Sequence, residues 1–194
     1  MKLLKQISLL LVLAFSINGY SQEKLAILPF TFTDNGHLSE QEGKNAQKYL
    51  IQYINKKQKH FKVKAMNARN INVALHKAGI TIETLDDYTT KEIADAIGAD
   101  YILLGSIDKS IQGSSNINVT TESKNSNGWN KNSKNTFGSS SSNNTYEATV
   151  YISIFDKNNN PIYDKSKGNI FIDFTSDSWK NSIVWHVRHF PLYH

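Results

Sequence analysis

The segment most informative about the fold of this chain is Ile97-Gly98-Ala99-Asp100-Tyr101-Ile102-Leu103-Leu104-Gly105-Ser106-Ile107. Thr89 and Glu92, upstream of it, form a capping box that opens a helical pattern, and Gly98 ends that pattern. The apolar run from Tyr101 onward then predicts a buried central strand. A helix that ends directly before a buried strand is typical of a sheet with helices packed against it.

Two strands and two helices are predicted upstream of this segment. Leu25-Ala26-Ile27-Leu28-Pro29-Phe30 is a compact apolar run, which predicts a buried first strand. Apolar residues at three- and four-residue spacing predict an amphipathic helix over residues 40–57. Residues 61–65 alternate between apolar residues and lysine and predict a second strand, and the shorter helix after it stops at Gly79.

Downstream, the alternation of apolar and polar residues predicts a hairpin. Its arms are residues 146–156 and 162–174, and a terminal helix begins at about Asp177 and ends before Pro191. We therefore expect an α+β fold, an α/β sandwich whose mixed sheet of about four to five strands is flanked by helices. A long polar loop precedes the C-terminal hairpin, and a terminal helix follows it.

The polar loop spans residues 111–145 and differs in composition from the rest of the chain. Its 35 residues include nine Ser, nine Asn, four Thr and three Gly. Such a segment cannot bury enough apolar surface to offset the entropy of ordering it. It is predicted to be a flexible insertion or a weakly ordered hairpin that turns at Asn127-Gly128.

Residues 1–21 have the pattern of a secretory signal peptide. Lys2 and Lys5 precede an apolar run, and small residues flank Tyr20 at the expected cleavage point. The run is about ten residues long, short of the ~20 that a membrane-spanning helix needs. We expect residues 22–194 to form one domain that is periplasmic or secreted, without a stable membrane anchor of its own. The chain has no cysteine, so neither a lipid-carrying cysteine nor a disulfide is available.

The charge of the chain argues against nucleic acid as a partner. The 22 Lys and Arg exceed the 17 Asp and Glu, which gives a net charge of +5. Without the two lysines of the predicted signal the balance is about +3, which is too mild for a nucleic-acid-binding surface.

The sequence offers no catalytic or cofactor motif. It lacks a Gly-x-Ser-x-Gly elbow and both common phosphate-binding patterns. His186 and His189 lie three residues apart near His194, but no carboxylate on that helix completes a metal set, so we interpret them as surface residues near a helix end. We expect no enzyme activity, cofactor or metal site.

Trp129 and Phe137 are the candidate contact residues for a partner. Both are large apolar residues within the Asn- and Ser-rich segment, where no core is at hand to bury them. They predict a contact with a protein or a glycan.

Three segments in order resemble the superfamily of CsgG-type curli assembly components, LpoB-type penicillin-binding-protein activators and the amino-terminal domain of TolB. The segments are residues 25–30, residues 97–107 and Val150-Tyr151-Ile152-Ser153-Ile154-Phe155-Asp156 with its returning strand. The resemblance implies a mixed sheet flanked by helices and an envelope protein that works by binding other proteins. It implies no catalytic residues, and it departs from the CsgG and LpoB types in lacking their lipid cysteine.

We therefore expect a non-enzymatic periplasmic accessory protein that binds an envelope protein, and regulates or scaffolds a cell-wall synthase or a secretion assembly. The alternative is a subunit of a CsgG-like oligomeric outer-membrane secretion channel, and an oligomer is compatible with both. Residues 111–145 occupy the place of the first spanning hairpin of such a channel but are too polar to face lipid, which disfavours the alternative.

Overall fold

The computed structural model describes residues 22–119, 139–172 and 179–194. The predicted signal segment, the predicted turn at Asn127-Gly128, and Trp129 and Phe137 lie outside these residues. The strands are β1 Lys24–Ile27, β2 Thr31–Asp34, β3 His37–Leu38, β4 Lys64–Ala65, β5 Tyr101–Val119, β6 Ser139–Asp156 and β7 Pro161–Ile172. The helices are α1 Glu40–Lys56, α2 Ala68–Lys77, α3 Thr90–Ile97 and α4 Trp179–Val187.

The strands form one mixed sheet with β5 at its centre. On one side, β5 pairs in parallel with β1 along its first part and with β2 further on. On its other side β5 pairs antiparallel with β6, which in turn pairs with β7. Strands β4 and β3 lie beside β1 and β2. The predicted α+β class with a mixed sheet flanked by helices is confirmed, and within the described residues the sheet has seven strands, whereas four to five were expected.

A bulge around Phe30 allows one run of chain to pair twice with β5. Ile27 is opposite Leu103 and Thr31 is opposite Ser106, so four residues advance against three. At the bulge the backbone N–H of Phe30 donates to the carbonyl of Gly43 in α1, at 3.2 Å. The Phe30 side chain is fully buried, and the structure leaves space for it only because Gly105 beneath its ring has no Cβ.

Helices α1 and α4 cover one face of the sheet, which we name the covered face. Directly opposed residues of neighbouring strands share a face, so Ile107 and Val150 lie on the covered face together with Ile152 and Ile154, and all are buried. Trp179 of α4 packs there edge-on against Phe32, with ring centroids 6.2 Å apart. A large part of the buried core lies between this face and the two helices.

Helices α2 and α3 pack against β1 and the start of β5. Ile102 and Leu103 point to opposite faces and both are fully buried, so this part of the sheet is buried on both sides. The predicted capping box of α3 is confirmed: Thr89 and Glu92 bond each other's backbone N–H groups. Gly98 ends α3 in the left-handed conformation at φ 72°, as predicted.

The hairpin of β5 and β6 extends into the Ser- and Asn-rich segment. Its pairing runs from Tyr101 opposite Asp156 to Val119 opposite Ser139, with an irregularity between Ile111 and Gly113. The sequence predicts a flexible insertion or a weakly ordered hairpin over residues 111–145, and the described parts of this segment, residues 111–119 and 139–145, are strand, as the hairpin alternative expects. Ladder hydrogen bonds join main-chain groups, so two polar arms can pair without apolar side chains.

Replacing Gly43 by alanine is expected to destabilise the protein. A Cβ at this position would stand 2.0 Å from the carbonyl oxygen of Phe30, so α1 would have to move off the sheet. Overpacking of this kind costs about 1–3 kcal/mol. Urea unfolding of Gly43→Ala should show the loss as a lower free energy of unfolding.

Gly168→Ala is the matched control, because its Cβ would lie 3.4 Å from Thr149 Oγ1, an ordinary contact. We expect a change within about 0.5 kcal/mol for this variant. In an open helix, Gly→Ala stabilises by about 1 kcal/mol. Such a gain for Gly43→Ala would contradict the close approach of α1 to Phe30.

Candidate functional site

The face of the sheet opposite α1 and α4 carries exposed and half-buried polar side chains. Because strand residues alternate between faces, Tyr151 points away from the side on which its buried neighbours Val150 and Ile152 lie. Ile102 at the start of β5 is buried on this side. Further along the strand, Ser106 and Ser110 are half-buried and Asp108 is exposed. We name it the open face and define it by Thr31, Thr33, Ser106, Asp108, Ser110, Glu147, Thr149, Tyr151, Ser153, Asp164, Ser166 and Gly168.

Hydrogen bonds between strands hold the two central carboxylates of the open face in place. Thr33 Oγ1 donates to Asp108 Oδ1 at 2.8 Å, across the pairing of β2 with β5. Ser153 Oγ donates to Asp164 Oδ1 at 2.7 Å, across the pairing of β6 with β7. Each bond joins two directly opposed residues, so the ladder itself orients the carboxylate. Both aspartates remain exposed to solvent.

Tyr151 lies between these two aspartates on the open face. It is opposite Ser106 on β5 and Ser166 on β7. Asp108 and Asp164 are the diagonal neighbours on the two sides, at about 7–8 Å between Cα atoms. The Tyr151 side chain is 51% exposed, the largest exposure of any large apolar residue in the described chain. An aromatic ring with a carboxylate on either side can bind a cation through the face of the ring and through hydrogen bonds to a carboxylate.

A separate cleft of about 310 Å³ lies beside α1 and α2. Its floor is apolar, with Pro29, Leu75 and Ile80, and the ion pair of Lys44 with Glu40 lies at its rim, at 3.1 Å. A hydrogen bond from Thr81 lowers the pKa of the rim carboxyl Glu83. Both partners of the rim ion pair come from α1 at a spacing of four residues, as is common on exposed helices.

His186 is a buried structural residue, and the interpretation of it as a surface residue is wrong. It belongs to α4, and its side chain is fully buried between this helix and the sheet. Its Nε2–H donates to the carbonyl of Val150 at 3.1 Å, and its Nδ1 accepts from the Tyr163 hydroxyl at 2.8 Å. Burial raises the pKa of Tyr163 to about 12, so the phenol stays protonated and donates. The pair thus joins α4 to β6 and β7.

The histidines of the C-terminal region do not converge on a metal site. His189 is exposed and its Nδ1–H donates to the carbonyl of Trp185 at 2.7 Å, while His194 bonds through its backbone to His60. Within residues 22–119, 139–172 and 179–194, no group of three or more His, Cys, Asp or Glu side chains could hold a metal ion.

The buried histidine is expected to make stability depend on pH. Burial lowers the pKa of His186 below its unfolded value of about 6.5, with smaller contributions from the nearby positive charges of Lys165, Lys167 and His189. The unfolded chain therefore takes up a proton that the folded chain does not. The contribution of His186 to the free energy of unfolding is therefore complete above pH 6.5. It is lost as the pH falls from there toward the pKa of His186 in the folded protein.

Urea unfolding between pH 7.5 and 5.5 should show this decline, with a slope of at most about 1.4 kcal/mol per pH unit from one proton. His186→Gln should be less stable at pH 7.5 and should lose the decline. His189→Gln, which changes the exposed histidine, should keep it. An unchanged slope in His186→Gln would refute the assignment.

The sequence did not single out the open face, although its alternation was visible. The alternation within residues 146–156 puts Val150, Ile152 and Ile154 on one side of the strand and Tyr151 on the other. A large aromatic residue at a polar position of an alternating strand was the available signal. The predicted contacts Trp129 and Phe137 lie outside the described residues and stay a prediction.

None of the helices in the described ranges is long and apolar enough to cross a membrane.

Comparison with known proteins gives a likeness of fold. No protein-family model matches the chain, and no curated protein matches its sequence. A lipoprotein from Neisseria meningitidis of known structure aligns with a TM-score of 0.50 and 10% identity, over 86% of this chain and 96% of that one. The C-terminal domain of LpoB from Salmonella enterica aligns with a TM-score of 0.43 and 12% identity, over 80% of this chain and 89% of that domain. At 10% identity the likeness to the Neisseria structure concerns the fold alone.

Proposed function

We propose that this protein is a non-enzymatic accessory protein of the cell envelope, which binds a protein partner and regulates or scaffolds the machine to which that partner belongs. The open face is the observation that carries the proposal. It is a broad, polar sheet surface with an exposed aromatic residue, Tyr151, near its middle. Exposed aromatic residues on otherwise polar surfaces are typical anchors of protein interfaces.

The shape of the open face favours a macromolecule over a small substrate. Small-molecule sites are concave and enclose most of the ligand surface. The open face is instead built from side chains of four neighbouring strands, β2, β5, β6 and β7. The titratable pair His186 and Tyr163 lies on the covered face and is occupied in holding α4. We therefore infer binding rather than turnover.

An envelope location is supported by two observations of different kinds. The first 21 residues have the pattern of a secretory signal. The Neisseria structure with the similar fold is a lipoprotein. We propose that the chain acts in the periplasm or is secreted, and that its attachment to the envelope runs through its protein partner. A cell-wall synthase or a secretion assembly is the class of machine that the sequence resemblance implies.

Site-directed photo-cross-linking in intact envelopes tests the proposal. A photoreactive amino acid at Tyr151 should capture one dominant envelope protein, because the open face would be covered by the partner. The matched control is the same amino acid at Tyr88, which is 36% exposed and lies outside the open face. Probes at Trp129 and Phe137 test the predicted contact of the polar segment.

Capture at Tyr151 but not at Tyr88 supports the proposal. Equal capture at Tyr151 and Tyr88, or no capture at Tyr151, contradicts it. Light scattering of the cross-linked material separates the accessory protein from the channel alternative: a ring of identical subunits would replace the proposal by the alternative.

A further inference from the structure

We infer that the open face binds a positively charged side chain of the partner, arginine or lysine, over Tyr151 and between Asp108 and Asp164. The inference rests on the proposed function and names the chemistry of the partner surface. Its starting observation is the diagonal row of the three side chains across β5, β6 and β7.

All the charged side chains among the residues that define the open face are carboxylates. The open face carries Asp108, Glu147 and Asp164, and none of its defining residues is lysine or arginine. The whole chain has a net charge of +5, so a negative face is the opposite of what the composition alone would place there. Opposite charge on a partner surface fits this face, since complementary charges steer association and exclude wrong partners.

The lysines of the same strands point to the covered face. Lys165 lies over the Tyr163 ring at 5.6 Å, and Lys167 lies over the Trp185 ring at 5.5 Å. Lys109 is only 7% exposed; it bonds Asp34 at 3.4 Å and lies over the Tyr146 ring at 4.7 Å. Since these cations are engaged on the other side of the sheet, the described lysines of β5 and β7 do not neutralise the open face.

The open face is prepared to accept a cation. The hydroxyls of Thr33 and Ser153 already orient Asp108 and Asp164, so little side-chain entropy remains to be lost on binding. Tyr151 presents a ring that a guanidinium or ammonium group can stack on. A planar guanidinium can stack on the ring and donate to a carboxylate at once, so arginine should be preferred over lysine.

Nuclear magnetic resonance titration of the full chain with short peptides tests the inference without the natural partner. The probes are acetyl-Gly-Ser-Arg-Ser-Gly-amide, the same peptide with Glu in place of Arg, and chitotetraose as a glycan. We expect the arginine peptide to shift the backbone amide signals of Ser106, Tyr151 and Ser166, and we expect the shifts to vanish at high salt. The Glu peptide and the glycan should leave these signals unchanged.

Variants of the three residues should weaken arginine-peptide binding by specific amounts. Tyr151→Ala removes the ring and should weaken binding about two- to fivefold, whereas Tyr151→Phe keeps the ring and the affinity. The double variant with Asp108→Asn and Asp164→Asn keeps the size of both side chains but removes their charges. It should bind the arginine peptide more weakly, and its binding should depend less on salt. Tyr88→Ala and Asp86→Asn change an exposed tyrosine and an aspartate elsewhere, and should change nothing.

Equal shifts with the Arg and Glu peptides, or none with the Arg peptide, would overturn the inference. Shifts with chitotetraose alone would replace the cationic partner by a glycan. These outcomes are independent of the proposed function, because Tyr151 can still capture a protein in the envelope when no arginine is recognised. Failure of that capture, with arginine binding intact, would instead overturn the proposed function.

Discussion

The contact of Phe30 with Gly43 and Gly105 fixes how α1, β1 and β2 are arranged around β5. The Phe30 ring lies where a Cβ of Gly105 would be, and the Phe30 carbonyl lies where a Cβ of Gly43 would be. This contact brings α1 directly onto the sheet and forms the bulge that lets β1 and β2 both pair with β5. Because α1 and α4 both pack on the covered face, Tyr151, Asp164 and Ser166 on the opposite face of β6 and β7 are exposed.

The locally encoded features were predictable from the sequence. The capping box of α3, the end at Gly98 and the buried strand after it depend on neighbouring residues, and each is present. Strands β2 and β3 have four and two residues and exist only through their partners, so no periodicity indicated them. The long ladder of β5 and β6 depends on main-chain pairing, which a composition of serine and asparagine does not reveal.

The candidate site was predictable only in part, for a physical reason. Alternation tells which residues of a strand share a face, but not whether a helix from elsewhere covers that face. His186 shows the converse: a polar residue near a helix end is placed against Val150 and Tyr163 by tertiary packing, and only the fold shows that it is buried. The two faces of one hairpin thereby have different tasks, since one holds the core and the other presents Tyr151 and its aspartates.

The open face is the surface that we propose a partner covers in the envelope. Hydroxyl-radical footprinting measures this most directly, by comparing the oxidation of tyrosines in intact envelopes with that in the purified protein. Tyr151, which is 51% exposed in the isolated chain, should be protected in the envelope and oxidised after purification, while Tyr88 reacts alike in both. Equal oxidation of Tyr151 in the two preparations would contradict the account.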